Sequence, residues 1–163
     1  MTSAIIAAFA GFPKWLAVML LSMIPVTELR ATIPLAIAGW DMNPFLVFAL
    51  ALLGNAVPFF PVYFGFRALQ RLAERRAPWA VRWLDHLLAR AHKKLGNNFE
   101  KYGTLGLALF VAVPLPGTGV WTGSLAAVAL GLPFRRAALA VLLGEVMMGV
   151  IVLALTLAGV TVI

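Results

Sequence analysis

Apolar residues run along this chain in stretches longer than a soluble core needs, and breakers interrupt them at a few places. Residues 45–66 form a 22-residue apolar run. As a helix it would be about 33 Å long, enough to cross a bilayer's hydrocarbon core. Residues 137–163 form a second run, long enough to cross with some tilt. Two other apolar regions are broken. Residues 14–39 are interrupted at Pro25 and Pro34, and residues 103–132 by "PLPGTG" at 114–119. Lys14 to Ile24 gives a helical piece of roughly 15 Å, half the hydrocarbon thickness. Gly103 to Val113 is similar, and Val120 to Gly131 is its return. Half-length arms meeting at a Pro/Gly-rich apex predict re-entrant helical hairpins. A kinked but complete crossing is the alternative, and 114–119 holds too many breakers for a simple kink. Non-helical backbone at that depth has to be buried in protein or line a watery cavity.

The pattern also repeats. "IPVTELRATIP" is followed by "NPFLVFALALLGN", and "VPLPGTGVWTG" by "LPFRRAALAVLLGE". The offset is 89 residues at Pro25/Pro114 and Pro44/Pro133, and 90 at Gly54/Gly144. Apolar letters match easily by chance; the order of the elements carries more weight.

Composition agrees with a membrane protein: 63% of the 163 residues are hydrophobic and 12% charged. There is no cysteine, so disulfides and thiolate metal sites are excluded. His86 and His92 lie in a charged segment without metal-ligand spacing and read as solvated, so no metal is expected. The first residues lack a basic n-region, so no cleaved signal is expected. The net charge of +7 does not point to nucleic acid. Nine of the thirteen Lys/Arg lie between Arg67 and Lys101, one basic block between apolar halves. Such a block is expected in the cytoplasm of a bacterial-type inner membrane, with Arg135 and Arg136 on the same side. The first hairpin then enters from outside and the second from the cytoplasm, an inverted repeat with apices near the midplane. Within the block, residues 78–95 show an apolar face (Trp79, Trp83, Leu87, Leu88) opposite Arg82, Arg90 and Lys93. They predict a cytoplasmic interfacial helix. Whether residues 1–12 are interfacial or inserted is left open. The expected fold is one all-α integral membrane domain: repeat 1 over about 1–66, the basic segment 67–102, and repeat 2 over about 103–163.

The candidate chemistry is sparse. Charges at mid-bilayer depth are costly and usually mark function. Glu28 and Arg30 are two residues apart, and an ideal helix would point them about 200° apart. The break at Pro25 either bends the backbone so that they meet or aims them at different partners. Glu145 follows Gly144 in the last apolar run, roughly 14 Å beyond Arg136, near mid-depth. It reads as a proton carrier or as a structural partner for Arg30. Its repeat counterpart is Asn55, beside a break where Pro58 and Pro61 are expected to leave the carbonyls of Gly54 and Val57 without their usual donors. Thr27 joins Glu28, Arg30, Asn55 and Glu145 as candidate proton- or substrate-binding residues. Pro25, Pro34, Pro114, Pro116, Gly117, Thr118, Gly119 and Trp121 are candidate apex residues. Gly119, Gly123, Ala127 and Gly131 form a small-residue stripe suited to close helix packing. No acid–His–nucleophile set, phosphate loop or cofactor motif is visible, so neither an enzyme nor a cofactor is expected.

At "PVTELRATIPLAIAG" (25–39) and "VPLPGTGVWTGSLAAVALGLP" (113–133) the chain resembles the small multi-drug export protein family, distantly related to the DedA/VTT membrane proteins. The likeness spans nearly the whole chain. It implies the same two opposed hairpins and, for DedA-type relatives, transport, with lipid-carrier translocation and proton coupling the leading ideas. Glu28 matches the type of acid those relatives carry in the first hairpin. DedA proteins carry arginines in the second hairpin, whereas residues 113–132 hold no charge. The expected function is alternating-access transport of an amphiphilic small molecule, phospholipid or polyprenyl-phosphate carrier, with membrane lipids and protons as partners. A non-transporting scaffold or assembly factor is the alternative, and a homo-oligomer is compatible with either.

Overall fold

The computed structural model describes residue 9 and residues 11–76, 99–115 and 118–159. Side chains of 73–76 and 99–102 are excepted. The expected interfacial helix 78–95 and the apex residues Pro116 and Gly117 lie outside the described residues. Among them every regular element is an α-helix: α1 Lys14–Met23, α2 Glu28–Trp40, α3 Pro44–Ala56, α4 Phe59–Arg76, α5 Phe99–Ala112, α6 Val120–Ala129 and α7 Phe134–Leu157.

Local sequence sets most boundaries. Asn43 caps α3 by accepting from the Phe45 and Leu46 N–H groups, with Pro44 in the first turn, where its missing N–H costs nothing. Gly131, at φ 67°, ends α6 in a Schellman turn: its N–H reaches the Val128 carbonyl and that of Leu132 reaches Ala127. Gly131 is therefore a helix cap and not the last member of a packing stripe. Higher in that stripe, Gly123 and Ala127 are buried, and a Cβ on Gly123 would meet the Val111 side chain at 2.5 Å.

The single 45–66 helix expected from the apolar run is two helices, α3 and α4, with a turn at Val57 and Pro58. Apolar composition nevertheless continues from Pro44 to Leu72, and among the described residues this segment and α7 are the two long enough to cross a membrane. The expected orphan carbonyls also find donors. Val57 N–H reaches Gly54 O, and Phe60 N–H reaches Val57 O, each at 3.3 Å. A tighter local turn replaces the two helical bonds that the prolines remove.

Each pair of short helices folds back on itself. Lys14, at the start of α1, donates to the Trp40 carbonyl at the end of α2 (3.0 Å). Gly103, near the start of α5, lies beside Leu132, just past the end of α6. In each pair the start of the first helix thus lies near the end of the second. α1 packs against α3, and α5 against α7. A glycine of the longer helix lies at each contact: Gly54 against the Met19 backbone, and Gly144 against the Ala108 carbonyl.

Among the described residues there are two apolar cores, and both long segments divide between them. One joins Val18, Leu29, Ile33, Val47 and Ala51 to Met148 and Val152. The other joins Phe59, Tyr63, Leu107, Val111, Val120 and Ala127 to Ala137 and Val141. α7 serves one core with its first half and the other with its second, and Glu145 falls between. The Pro44–Leu72 segment changes core just after Asn55. Outside these cores, Leu53, Phe60, Phe64, Leu139, Leu143, Met147 and Val150 are exposed. Such a surface suits lipid and not water.

Candidate functional site

The two apices meet, and polar groups collect where they do. The first apex is the turn 24–27 between α1 and α2. A helix end leaves carbonyls without partners. Thr27 Oγ1 donates to the Leu21 carbonyl, and Trp121 Nε1, from the far hairpin, donates to that of Met23 at 3.1 Å. Arg30 sends its guanidinium the other way, to the carbonyl of Leu115 in the second apex. Thr118 Oγ1 bonds the Val113 and Leu115 carbonyls and so holds its own loop closed. Thr27 and Thr118 therefore act here as caps. Pro25 sits exposed in the first turn and Pro114 half-buried in the second. Pro34 is not at an apex: it is buried in the middle of α2.

The question left open by the Glu28/Arg30 spacing is resolved by the backbone. Glu28 opens α2 at φ 42°, in the left-handed region that non-glycine residues seldom adopt. This turns its carboxylate to the same side as Arg30, and Arg30 Nη2 lies 3.4 Å from Glu28 Oε2. Thr32 Oγ1 donates to the Glu28 carbonyl at 2.6 Å, and the backbone N–H of Trp121 donates toward its carboxylate. Gly119 faces the same carboxylate. It has φ 146°, and a Cβ there would overlap the Glu28 oxygens. Only glycine leaves room for the acid to reach the first turn of α6.

Behind this pair lie Asn55 of α3 and Glu145 of α7, both at 0% exposure. Asn55 lies beside Glu145, and the charge of Glu28 acts on Glu145. Arg30 turns to Glu28 and Leu115, not to Glu145. Five buried atoms in this cluster complete no hydrogen bond: Glu28 Oε2, both polar atoms of Asn55 and both carboxylate oxygens of Glu145. Ser22, Thr32 and Ser124, the other buried polar residues, each bond a carbonyl four residues back. Among the described residues the deficit is thus concentrated at one place, where α2 and the two long segments meet. Buried polar groups are ordinarily paired, and a cluster of exceptions marks a place where a proton, water or ligand belongs.

Tyr63 and Arg67 are functional candidates that hydropathy does not reveal. The Tyr63 hydroxyl is buried, donates to the Leu132 carbonyl at 2.9 Å and accepts from Arg67 at 3.0 Å. Their four-residue spacing is the signal in the sequence that could have paired them. Among the described residues no group of three or more His, Cys, Asp or Glu side chains is placed to hold a metal ion.

No curated protein and no solved structure matches the chain. A family model described as "Putative small multi-drug export protein" matches residues 28–151, from the first acid of this cluster to just beyond the last. The match covers most of the chain, and with its apolar helices the protein is a membrane protein that belongs to the small multi-drug export protein family.

Proposed function

We propose that this protein is a proton-coupled transporter of an amphiphilic small molecule or lipid carrier, working by alternating access between two opposed re-entrant hairpins, and not an enzyme. The observation that carries this reading is the buried Glu28–Asn55–Glu145 cluster and its unsatisfied polar atoms. It is buried at the junction of both apolar cores, where a two-state element has something to exchange. Glu145 is the proton carrier. Glu28 alternates between Arg30 and the second apex, and Asn55 receives Glu145 in either state. Polar contacts join the apices, among them Arg30 to Leu115 and Trp121 to Met23. Rocking one hairpin against the other breaks them without opening either apolar core.

The flux test uses proteoliposomes under an imposed pH gradient, with a lipophilic cationic dye and a fluorescent phospholipid as probes. Wild type is expected to move at least one of them. Glu145→Gln is expected to abolish gradient-driven movement while leaving the fold and melting temperature intact. Absence of any flux in the wild type would favour a scaffold.

Orientation follows from the basic segment 67–102, which belongs in the cytoplasm of an inner membrane, with the first hairpin entering from outside. A cysteine placed beside Arg136 is then expected to react with a membrane-impermeant maleimide only in inverted vesicles. Labelling from outside intact cells would mean that residues 103–132 cross the membrane completely.

A further inference from the structure

Away from the acid cluster, α4 and the end of α6 enclose a cavity of about 270 Å³. Tyr63, Arg67, Gln70 and Arg71 line one wall, and Val128 and Leu132 the other. The geometry points to a binding site for the anionic headgroup of an amphiphile, a phosphate-type group held by Arg67 and Arg71.

Three observations on the arginines support it. Arg67 and Arg71 are one turn apart, so their like charges face the same space, an arrangement that an anion between them relieves. Among the described residues neither has a carboxylate partner. Arg67 is also held in place: it donates to the Tyr63 hydroxyl, which is fixed in turn by the Leu132 carbonyl, and it lies 6.0 Å from the centre of the Tyr63 ring. A guanidinium held this way loses little freedom on meeting a ligand.

Size and depth fix the class of ligand. The cavity is smaller than the roughly 300–1,000 Å³ typical of pockets that enclose whole drug-sized molecules, so it suits a headgroup. Arg67 lies about two turns into α4, at most about 18 Å of helical rise beyond Asn55 across the turn at Val57 and Pro58, which sets the cavity toward a membrane boundary. The tail has a path. Phe60, Phe64, Arg67 and Arg71 fall on one stripe of α4 by helical spacing, and Phe60 and Phe64 are exposed. Apolar rings toward mid-membrane and arginines at its edge match an amphiphile head outward. This site stands on its own residues and does not require that the acid cluster carries protons.

The test is native mass spectrometry of the full chain released from neutral micelles doped with dioleoyl phosphatidate or with the matching uncharged diacylglycerol. One phosphatidate per chain is expected to be retained, and diacylglycerol is not. Arg67→Gln or Arg71→Gln should each lower retention by about tenfold, as the loss of a charge-assisted hydrogen bond predicts. Arg135→Gln, which removes a charge outside the cavity, should leave it unchanged. Both cavity arginines are exposed, so their variants are expected to melt with the wild type. Displacement by millimolar inorganic phosphate would show that the headgroup alone is recognised and that free phosphate is also a ligand; resistance to it would show that the tail contributes. Equal retention in all three arginine variants, or equal retention of diacylglycerol, would overturn the site.

Discussion

Arg30→Ala will destabilise the protein by about 3–5 kcal/mol, the range for removing one partner of a buried ion pair. The Arg30 side chain is 11% exposed and that of Glu28 3%. Without the guanidinium, two buried carboxylates share one pocket with no positive charge beside them. The carbonyl of Leu115 loses one donor but keeps Thr118, so little of the loss comes from there. Glu28→Gln in the same chain should restore part of the stability, because it removes the charge that Arg30 had balanced. Unfolding by steric trapping in bicelles of the two single variants and the double variant closes the cycle. A double variant no more stable than Arg30→Ala would mean that the lost ion pair is not the source of the destabilisation.

The second large effect lies at the two glycines that let the short helices touch the long ones. A Cβ on Gly54 would fall on the Met19 carbonyl, with the Met19 Cα at 2.8 Å. One on Gly144 would lie 2.6 Å from both the Ala108 carbonyl oxygen and Val111 Cβ. Backbone cannot rotate away as a side-chain tip can. Overpacking a core costs about 1–3 kcal/mol, and Gly54→Val and Gly144→Val are expected at or above that upper end, with loss of monodisperse protein on gel filtration. Gly65 and Gly106 are the contrast, also helical but with no atom within 4 Å of where a Cβ would stand. Gly65→Ala and Gly106→Ala should raise stability by up to about 1 kcal/mol through helix propensity. Equal tolerance at all four positions would show that the helices do not pack this closely.

Both predictions depend on features that the sequence shows unequally. Gly54 and Gly144 stand out as repeat partners from spacing alone, but what they touch does not. Glu28 and Arg30 stand out as charges in an apolar region, while ideal helix geometry sets them apart. Their meeting depends on the positive φ of Glu28, a local strain that surrounding contacts support. Pro34 reads as part of an apex because prolines break helices. Instead it is accommodated inside α2, where its neighbours are apolar and closely packed. Tyr63 and Arg67 do not stand out, because an aromatic and a basic residue at the end of a membrane helix are ordinary there.

What the sequence by itself determined is where the apolar elements lie and most of their interruptions, though not the break of 45–66 at Val57 and Pro58. Hydropathy, proline's missing donor and the Asn43 and Gly131 caps act within a turn or two of chain, so they can be read in place. Only the tertiary structure decided which polar groups share a pocket. Arg30 meets a carbonyl 85 residues away, and Asn55 lies beside Glu145, because separate helices bring them to one junction. Charge and hydrogen-bond partnership across such distances depend on packing, and packing is not written in any one segment.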